Sequence, residues 1–130
     1  MPHSNVARCR VLWHHHNDTF RTDELNPLAD FASRRTAMVD TQVRPADVTK
    51  FPIIDAMLTV PRELFVPDEL REAAYAEENL PLGGARVLLE PRTFSKMLDG
   101  LAVGPRDVVL DLGCGLGYST AVLARLVEFV

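Results

Sequence analysis

One short stretch of the chain carries residues whose types and spacing could hold a ligand. Asp111 ends an apolar run, and Gly113, Gly115 and Gly117 follow it at alternate positions. Because glycine has no Cβ, the chain can turn sharply there and a ligand can approach the backbone. A helix beginning after the last glycine would point its free N–H groups at the same spot. The pattern therefore predicts a site for a ligand carboxylate or hydroxyl beside Asp111.

The spacing of these glycines excludes two kinds of phosphate-binding loop. A dinucleotide fingerprint needs glycine at its sixth position, which is Tyr118 here, and no Lys followed by Ser or Thr closes the loop. The pattern instead resembles the first motif of class I S-adenosylmethionine-dependent methyltransferases. A glycine-rich turn without a ligand is the alternative. We favour a cofactor loop because apolar strand, acid, glycines and helix occur in register.

The elements around the loop indicate an α/β fold. Val108–Leu112 is apolar throughout, which predicts a strand buried on both faces of a parallel sheet. The apolar positions from Ala121 to Leu126 predict a helix that packs back on this sheet. Val127–Val130 indicates the start of a second strand. We therefore predict N-terminal helices followed by the first strand, loop and helix of a doubly wound, Rossmann-like methyltransferase sheet, truncated after that point.

Composition points to a soluble globular protein. The chain has 130 residues, 47% of them hydrophobic, and a formal net charge of −4, which argues against nucleic acid or a membrane surface as partner. No apolar run approaches the ~20 residues of a membrane span, and Met1–Phe20 lacks the apolar core of a secretory signal. Cys9 and Cys114 do not form a disulfide framework. These features predict a reduced, cytoplasmic protein.

Three regions follow from the patterning. Residues 1–26 are polar and aperiodic, which predicts a disordered tail, and we interpret it as an upstream extension from an early start codon. The alternatives for its His14–His16 run are a set of metal ligands or part of a tag. The Cys and His spacings typical of a metal site are absent from the sequence. Residues 27–104 form a helical region with a short extended segment, and residues 105–130 begin the cofactor-binding domain.

Helical patterning predicts the first two elements. Leu28–Val43 carries an apolar stripe and reads as a helix. Arg44 should end it, because Pro45 follows and disfavours helical backbone before it. A second helix should span Asp47–Thr59, with Pro52 in its first turn.

Prolines and glycines punctuate the next segments. Val60–Pro67 is a connector bracketed by prolines, and Asp68 is a candidate N-cap for a short helix through about Tyr75. Leu80–Ala85 predicts a turn and Arg86–Leu89 an extended stretch. The last helix before the loop should start at Pro91, and its apolar face is Phe94, Met97, Leu98, Leu101 and Ala102.

From about Met38 onward the chain resembles the protein-L-isoaspartate O-methyltransferases. The features that carry this resemblance stand in the family's order, and they are Gln42–Arg44, Val60–Pro67, Leu80–Gly83 leading to Pro91, and Asp111–Gly117. The glycine loop occurs across class I methyltransferases. The connector and its spacing to the loop select this family.

The resemblance implies S-adenosylmethionine as cofactor and the free carboxylate of an isoaspartyl residue in a damaged protein as substrate. Asp111 would orient the methionine end of the cofactor, and the loop residues Gly113, Cys114, Gly115 and Gly117 would seat it. An acid that only stabilises the loop is the alternative for Asp111. The family fold implied is a seven-stranded sheet with helices on both faces, and the reaction is attack of the carboxylate on the sulfonium methyl.

The substrate side departs from the family pattern. The family has Thr-x-Ser just before the proline matched by Pro91, and this chain has Val87 and Leu89 there. The resemblance implies substrate contacts at Leu89, Glu90 and Pro91, yet leucine cannot donate a hydrogen bond to a carboxylate. Nearby Arg86 and Arg92 could pair with a carboxylate or be solvated surface. A class I methyltransferase of another substrate is therefore the alternative function.

The family's ribose-binding acid would lie beyond Val130, so we expect this chain to be the N-terminal part of a larger enzyme. A truncated, non-catalytic protein is the remaining alternative. We expect the 130-residue chain alone to bind S-adenosylmethionine weakly or not at all.

Overall fold

A computed structural model describes residues 27–130. The predictions for residues 1–26, including the His14–His16 run, lie outside the described residues. The described α-helices are α1 (Pro27–Met38), α2 (Phe51–Thr59), α3 (Pro91–Leu101) and α4 (Tyr118–Leu123), and the strands are β1 (Leu80–Gly83) and β2 (Arg86–Leu88). Shorter helical segments are a π turn at Val39–Val43 and 3₁₀ turns at Arg44–Ala46, Arg62–Phe65 and Asp68–Ala73.

The helical run that begins with α1 continues through the π and 3₁₀ turns and passes its predicted end at Arg44. Arg44 keeps right-handed helical backbone, with φ −59° and ψ −44°, although Pro45 follows it. The Arg44 N–H donates to the Val39 carbonyl across the π turn, and Pro45 then lies inside a new 3₁₀ turn that does not need its missing N–H. The chain leaves this helical run at Asp47, whose φ is 63°.

The second helix is confirmed, with Pro52 in its first turn and Ile53, Ile54 and Met57 buried. Its predicted start at Asp47 is wrong. Asp47 has left-handed backbone and Lys50 has extended backbone, so the helix begins at Phe51.

The predicted cap at Asp68 is wrong. Asp68 is the first residue of a 3₁₀ helix and makes no capping hydrogen bond, and the preceding Pro67 occupies the cap position. The Asp68 carboxylate pairs with Arg71 at 3.1 Å on the exposed side of the turn. The segment therefore gains a local ion pair instead of a side-chain cap.

A two-stranded antiparallel hairpin follows. Leu80–Gly83, predicted as part of a turn, is strand β1, and it pairs with the confirmed extended segment β2. The turn itself lies at Gly84 and Ala85, between the paired residues Gly83 and Arg86. The φ values of 97° at Gly83 and 59° at Gly84 favour glycine. An irregularity in register between Pro81 and Gly83 accompanies it.

Helix α3 begins at the buried Pro91, as predicted. Phe94 and Leu98 are buried, whereas Met97 and Leu101 on the predicted apolar face are exposed. Buried side chains from the end of α1, the turns that follow it, α2, α3 and α4 form one core. Its fully covered members include Met38, Val39, Val43, Met57, Tyr118 and Val122.

The predicted burial of Val108–Leu112 is wrong. Val108, Leu110 and Leu112 are 76%, 79% and 82% exposed, and among the apolar side chains of this segment only Val109 packs partly against the core. The segment makes an isolated parallel bridge from Val108 to Phe129, the one trace of the predicted second strand. A parallel strand becomes buried only when helices and further strands cover it, and no described residue covers its outer side.

The described residues thus combine helices with a small two-stranded antiparallel sheet, which is consistent with the α/β class that the sequence predicts. The doubly wound sheet stays a prediction. No described helix has the length and apolarity that crossing a membrane requires.

Candidate functional site

The carboxylate of Asp111 is tied to the start of α4. Its Oδ2 accepts hydrogen bonds from Ser119 Oγ at 2.7 Å and Thr120 Oγ1 at 2.8 Å. Its Oδ1 accepts none from the residues that the structure describes. One oxygen of Asp111 therefore stabilises the loop, as the alternative interpretation proposed, and the other remains able to accept a hydrogen bond from a ligand.

The three glycines of the loop all have left-handed backbone, with φ values of 79° at Gly113, 60° at Gly115 and 96° at Gly117. Their surroundings differ. A Cβ on Gly113 would meet nothing within 4 Å, whereas a Cβ on Gly115 would lie 2.8 Å from Leu82 Cδ1 in the hairpin. The loop thus has an open backbone at Gly113, whereas the end of the Leu82 side chain lies against Gly115.

These features fit the cofactor that the loop motif implies. An open, bare backbone at Gly113 lies two residues from a carboxylate oxygen that can accept a hydrogen bond, which suits a ligand carrying ammonium or hydroxyl donors. Cys114 is exposed, as expected for a small residue in the loop. Helix α4 ends at Leu123, before the predicted apolar positions end at Leu126. With only six residues, it places a smaller helix-dipole field at the loop than a helix through Leu126 would.

Tyr118, directly after the glycines, anchors the end of the loop. Its side chain is fully buried, and its ring contacts those of Phe65 and Phe94 at centroid distances of 5.7 and 5.3 Å. Burial raises the pKa of the Tyr118 phenol, and the positive charge of Arg62 opposes that rise. The loop is therefore held to both α3 and the connector.

Arg62 is the residue that the sequence analysis missed. It has 0% exposure, its Nε donates to the Ala74 carbonyl and its Nη2 to the Leu89 carbonyl, both at 2.6 Å, and its guanidinium lies 4.9 Å from the Tyr118 ring centroid. Burial lowers the pKa of Arg62. The available signal was a charged residue inside the apolar connector Val60–Pro67, where a solvated side chain would be out of place.

The substrate-side residues are held within their own segment. Leu89 is half-buried against the core, and Pro91 is buried at the start of α3. The Glu90 backbone N–H donates to Asn79 Oδ1 at 2.8 Å, and its Oε1 accepts from Thr93 Oγ1 at 2.5 Å. The hairpin of β1 and β2, which precedes this segment, lies against the glycine loop through Leu82. The structure shows no contact between Glu90 and the glycines.

The neighbouring positions show what could face a substrate. Val87 is about half exposed at 49% and cannot donate a hydrogen bond. Arg86 and Arg92 are exposed and form no ion pair with a described residue, which agrees with the solvated-surface interpretation.

A second polar network lies beneath the connector. Arg35 donates to Tyr75 at 2.9 Å and pairs with Glu63 at 3.2 Å, and Tyr75 donates a short hydrogen bond to Glu63. Burial, together with the bond to Glu63, raises the pKa of Tyr75. This network joins α1 to the connector. The described residues contain no group of three or more His, Cys, Asp or Glu side chains suited to a metal ion.

Comparison with known proteins identifies relatives of one kind. A family model described as protein-L-isoaspartate(D-aspartate) O-methyltransferase matches residues 33–130. A protein-L-isoaspartate O-methyltransferase of Methylorubrum extorquens (strain PA1) is 43% identical over 100 residues, which are 77% of this chain and 44% of the relative. Proteins of the same name from Roseiflexus sp. (strain RS-1) and Syntrophus aciditrophicus (strain SB) are each 40% identical, over 78% and 77% of this chain and 46% of each relative.

The chain therefore spans slightly less than half the length of these relatives. The matched residues include the connector, the hairpin and the glycine loop described above. The chain belongs to the protein-L-isoaspartate(D-aspartate) O-methyltransferase family.

Proposed function

We propose that this protein serves the transfer of a methyl group from S-adenosylmethionine to the free carboxylate of L-isoaspartyl residues in damaged proteins, and that Asp111–Gly117 holds the cofactor. The observation that carries this proposal is the open backbone at Gly113 beside an Asp111 carboxylate whose second oxygen is unoccupied by described residues. Family membership supports the reaction and the substrate class.

The roles of the loop residues follow from their chemistry. Asp111 would orient the cofactor through the oxygen that Ser119 and Thr120 leave free, and Gly113 would admit it against the backbone. Gly115 and Gly117 would keep the loop in the left-handed turn that exposes this backbone. The bound cofactor supplies a methyl group already activated on a sulfonium.

The nucleophile needs little help from the protein. A carboxylate is ionised at neutral pH, since its ordinary pKa is near 4, and no catalytic residue is assigned for proton transfer. The protein's own contribution would be orientation of the two reactants and exclusion of water, and orientation alone can supply roughly 7–11 kcal/mol of the barrier. The chain's role is therefore to hold two ligands in line. We also propose a cytoplasmic location, where aged cellular proteins are the substrates and neither nucleic acid nor membrane is a partner.

A chimera provides the test. In it, the matched segment of this chain replaces the corresponding 100 residues of the Methylorubrum extorquens relative. The chimera is then incubated with an isoaspartyl peptide and methyl-labelled cofactor. We expect a base-labile methyl ester on the isoaspartyl peptide and none on the matched peptide with normal aspartate. A folded, cofactor-binding chimera that labels neither peptide would refute the proposed substrate.

A specific observation favours a second candidate, a class I methyltransferase of another substrate. Val87 and Leu89 present only apolar side chains on the substrate side, and Val87 is half exposed. Replacing Val87 with Thr and Leu89 with Ser in the chimera distinguishes the two. A large gain of activity on the isoaspartyl peptide would show that the natural side chains select a different carboxylate or a less polar substrate.

A further inference from the structure

Three segments that are distant in sequence meet at one side chain. The side chain of Arg62 donates hydrogen bonds to the carbonyl of Ala74, just after the 3₁₀ turn at Asp68–Ala73, and to the carbonyl of Leu89, just after β2. Its guanidinium also lies over the ring of Tyr118, which follows the glycine loop. No solvent reaches Arg62. The substrate-side segment and the cofactor-side loop therefore share one contact partner.

The cost of burying Arg62 argues against a role in stability alone. No described carboxylate pairs with it, because its neighbour Glu63 pairs with Arg35 instead. Its Nη1 is buried without a hydrogen-bond partner among the described residues. A well-packed apolar side chain commonly matches or exceeds the stability that a buried charge provides. An apolar side chain could not, however, fix two carbonyl groups and a ring at once, whereas the planar guanidinium has donors for both and a face for the third.

We propose that Arg62 is a positioning residue that sets where the Leu89–Pro91 segment lies relative to the glycine loop. The proposal rests on the proposed function in naming these two segments as the substrate and cofactor sides. A shift of Tyr118 is transmitted to the Leu89 carbonyl through the guanidinium, so the two sides move together. The contact of Leu82 with Gly115 adds a second connection between hairpin and loop.

Amide hydrogen exchange of the whole chain tests this without any ligand. The reporting amides are Glu90, bonded to Asn79, and Ala121, bonded to Gly117, and the reference is Val60 at the end of α2. Lysine keeps the charge of Arg62 but lacks the planar fork. We expect Arg62→Lys to speed exchange at both reporting amides by at least about tenfold, with Val60 changed less than about twofold.

The matched control is Arg106→Lys, an exposed arginine in the turn before the loop, which should change none of the three amides. Equal acceleration at all three amides in Arg62→Lys would show that Arg62 stabilises the fold in general. Acceleration at only one reporting amide would show that the two sides are not coupled. Either result overturns the proposal.

Tyr118→Leu keeps the proposal falsifiable if Arg62→Lys does not fold. It removes the ring under the guanidinium and leaves both carbonyl acceptors in place. We expect the ¹³C carbonyl resonances of Ala74 and Leu89 to move, whereas Phe94→Leu, which alters another contact of the same ring, should leave the Ala74 resonance unchanged. An unmoved Ala74 resonance in Tyr118→Leu would contradict the proposal.

A kinetic readout separates positioning from stability. In the chimera, Arg62→Lys should lower kcat by at least about tenfold and leave KM for the peptide within about threefold, because misalignment affects the transition state more than binding. If the unaltered chimera makes no ester, the proposed function has failed, and the exchange experiment still decides the positioning role. A normal kcat in a folded Arg62→Lys chimera would overturn that role.

Discussion

At the residue scale, the sequence predicted the glycine loop but not its packing. The alternate spacing of Gly113, Gly115 and Gly117 indicated a sharp turn with bare backbone, and in the structure all three glycines have left-handed backbone. Nothing in the sequence indicated that Leu82 would lie against Gly115, because that contact joins residues that are far apart in the chain. The role of Arg62 was missed for the same reason, since its partners lie 12, 27 and 56 residues away.

Gly115 and Gly84 make a matched pair for measuring this contact. Their φ values are 60° and 59°, so alanine is strained equally at both positions, by about 1–2 kcal/mol. Only at Gly115 would the new Cβ also displace Leu82. We expect Gly115→Ala to lower the free energy of unfolding more than Gly84→Ala does, as measured by urea denaturation. Equal losses would show that Leu82 moves aside without cost and that its contact with the loop contributes nothing to stability.

The Arg35, Glu63 and Tyr75 network gives a second prediction at this scale. Removing one partner of a buried charge pair costs about 3–5 kcal/mol, and the side chains of Arg35 and Glu63 are only 15% and 7% exposed. Glu63→Ala should therefore lower the free energy of unfolding by about 3 kcal/mol. Glu72→Ala removes the exposed partner of Arg34 and should cost less than about 1 kcal/mol. Similar costs for the two variants would contradict the network.

At the scale of elements, helices were easier to predict than strands. Periodicity located α1, α2 and α3, because apolar residues recur at helical spacing in each, although only Phe94 and Leu98 of the stripe predicted for α3 are buried. The end of the first helical run was missed because a π turn shifted Pro45 into a new turn, which no single-residue preference reveals. β1 was missed because its pairing with β2 depends on a partner strand, and the glycines marked only the turn between them.

The C-terminal end of α3 offers a test of backbone strain. Ala102 ends this helix with φ 52°, a conformation that glycine adopts without a Cβ penalty. Ala102→Gly should raise the free energy of unfolding by about 1 kcal/mol. Ala32→Gly, at an exposed position in the middle of α1, should lower it by about 1 kcal/mol. Thermal denaturation of both variants checks the opposite signs, and destabilisation by both would contradict the left-handed end of α3.

At the scale of the whole molecule, the sequence could not predict which surfaces are covered. The apolar run Val108–Leu112 has the composition of a buried strand, but burial depends on elements that pack against it. Its outer side chains are largely exposed among the described residues, and the relatives are more than twice as long as the matched segment. The apolar composition of a segment allows it to be buried, but whether it is buried depends on the elements that pack against it.

The stability of the whole molecule should fall at alkaline pH. The chain has two tyrosines, Tyr75 and Tyr118, and burial raises the pKa of both. In the unfolded state the two phenols lose their protons near pH 10, and in the folded state they lose them at higher pH. The contribution of the neutral tyrosines to stability is therefore complete below pH 10 and declines above it by about 1.4 kcal/mol per pH unit for each tyrosine.

The comparison with Tyr75→Phe isolates one of these tyrosines, because other titrating groups are common to both proteins. Between pH 8 and 11 the unaltered chain should lose about 1 kcal/mol more of its free energy of unfolding than Tyr75→Phe does. Urea denaturation at each pH gives this difference. An equal loss in the two proteins would show that Tyr75 is not buried in the folded state.

The central claim is that the loop Asp111–Gly117 seats S-adenosylmethionine, and calorimetric titration of the chimera with this cofactor tests it most directly. We predict a dissociation constant on the order of micromolar for the chimera and for its Gly84→Ala control, and binding at least about tenfold weaker for Gly115→Val. A folded Gly115→Val chimera that binds the cofactor as tightly as the unaltered chimera would contradict the claim.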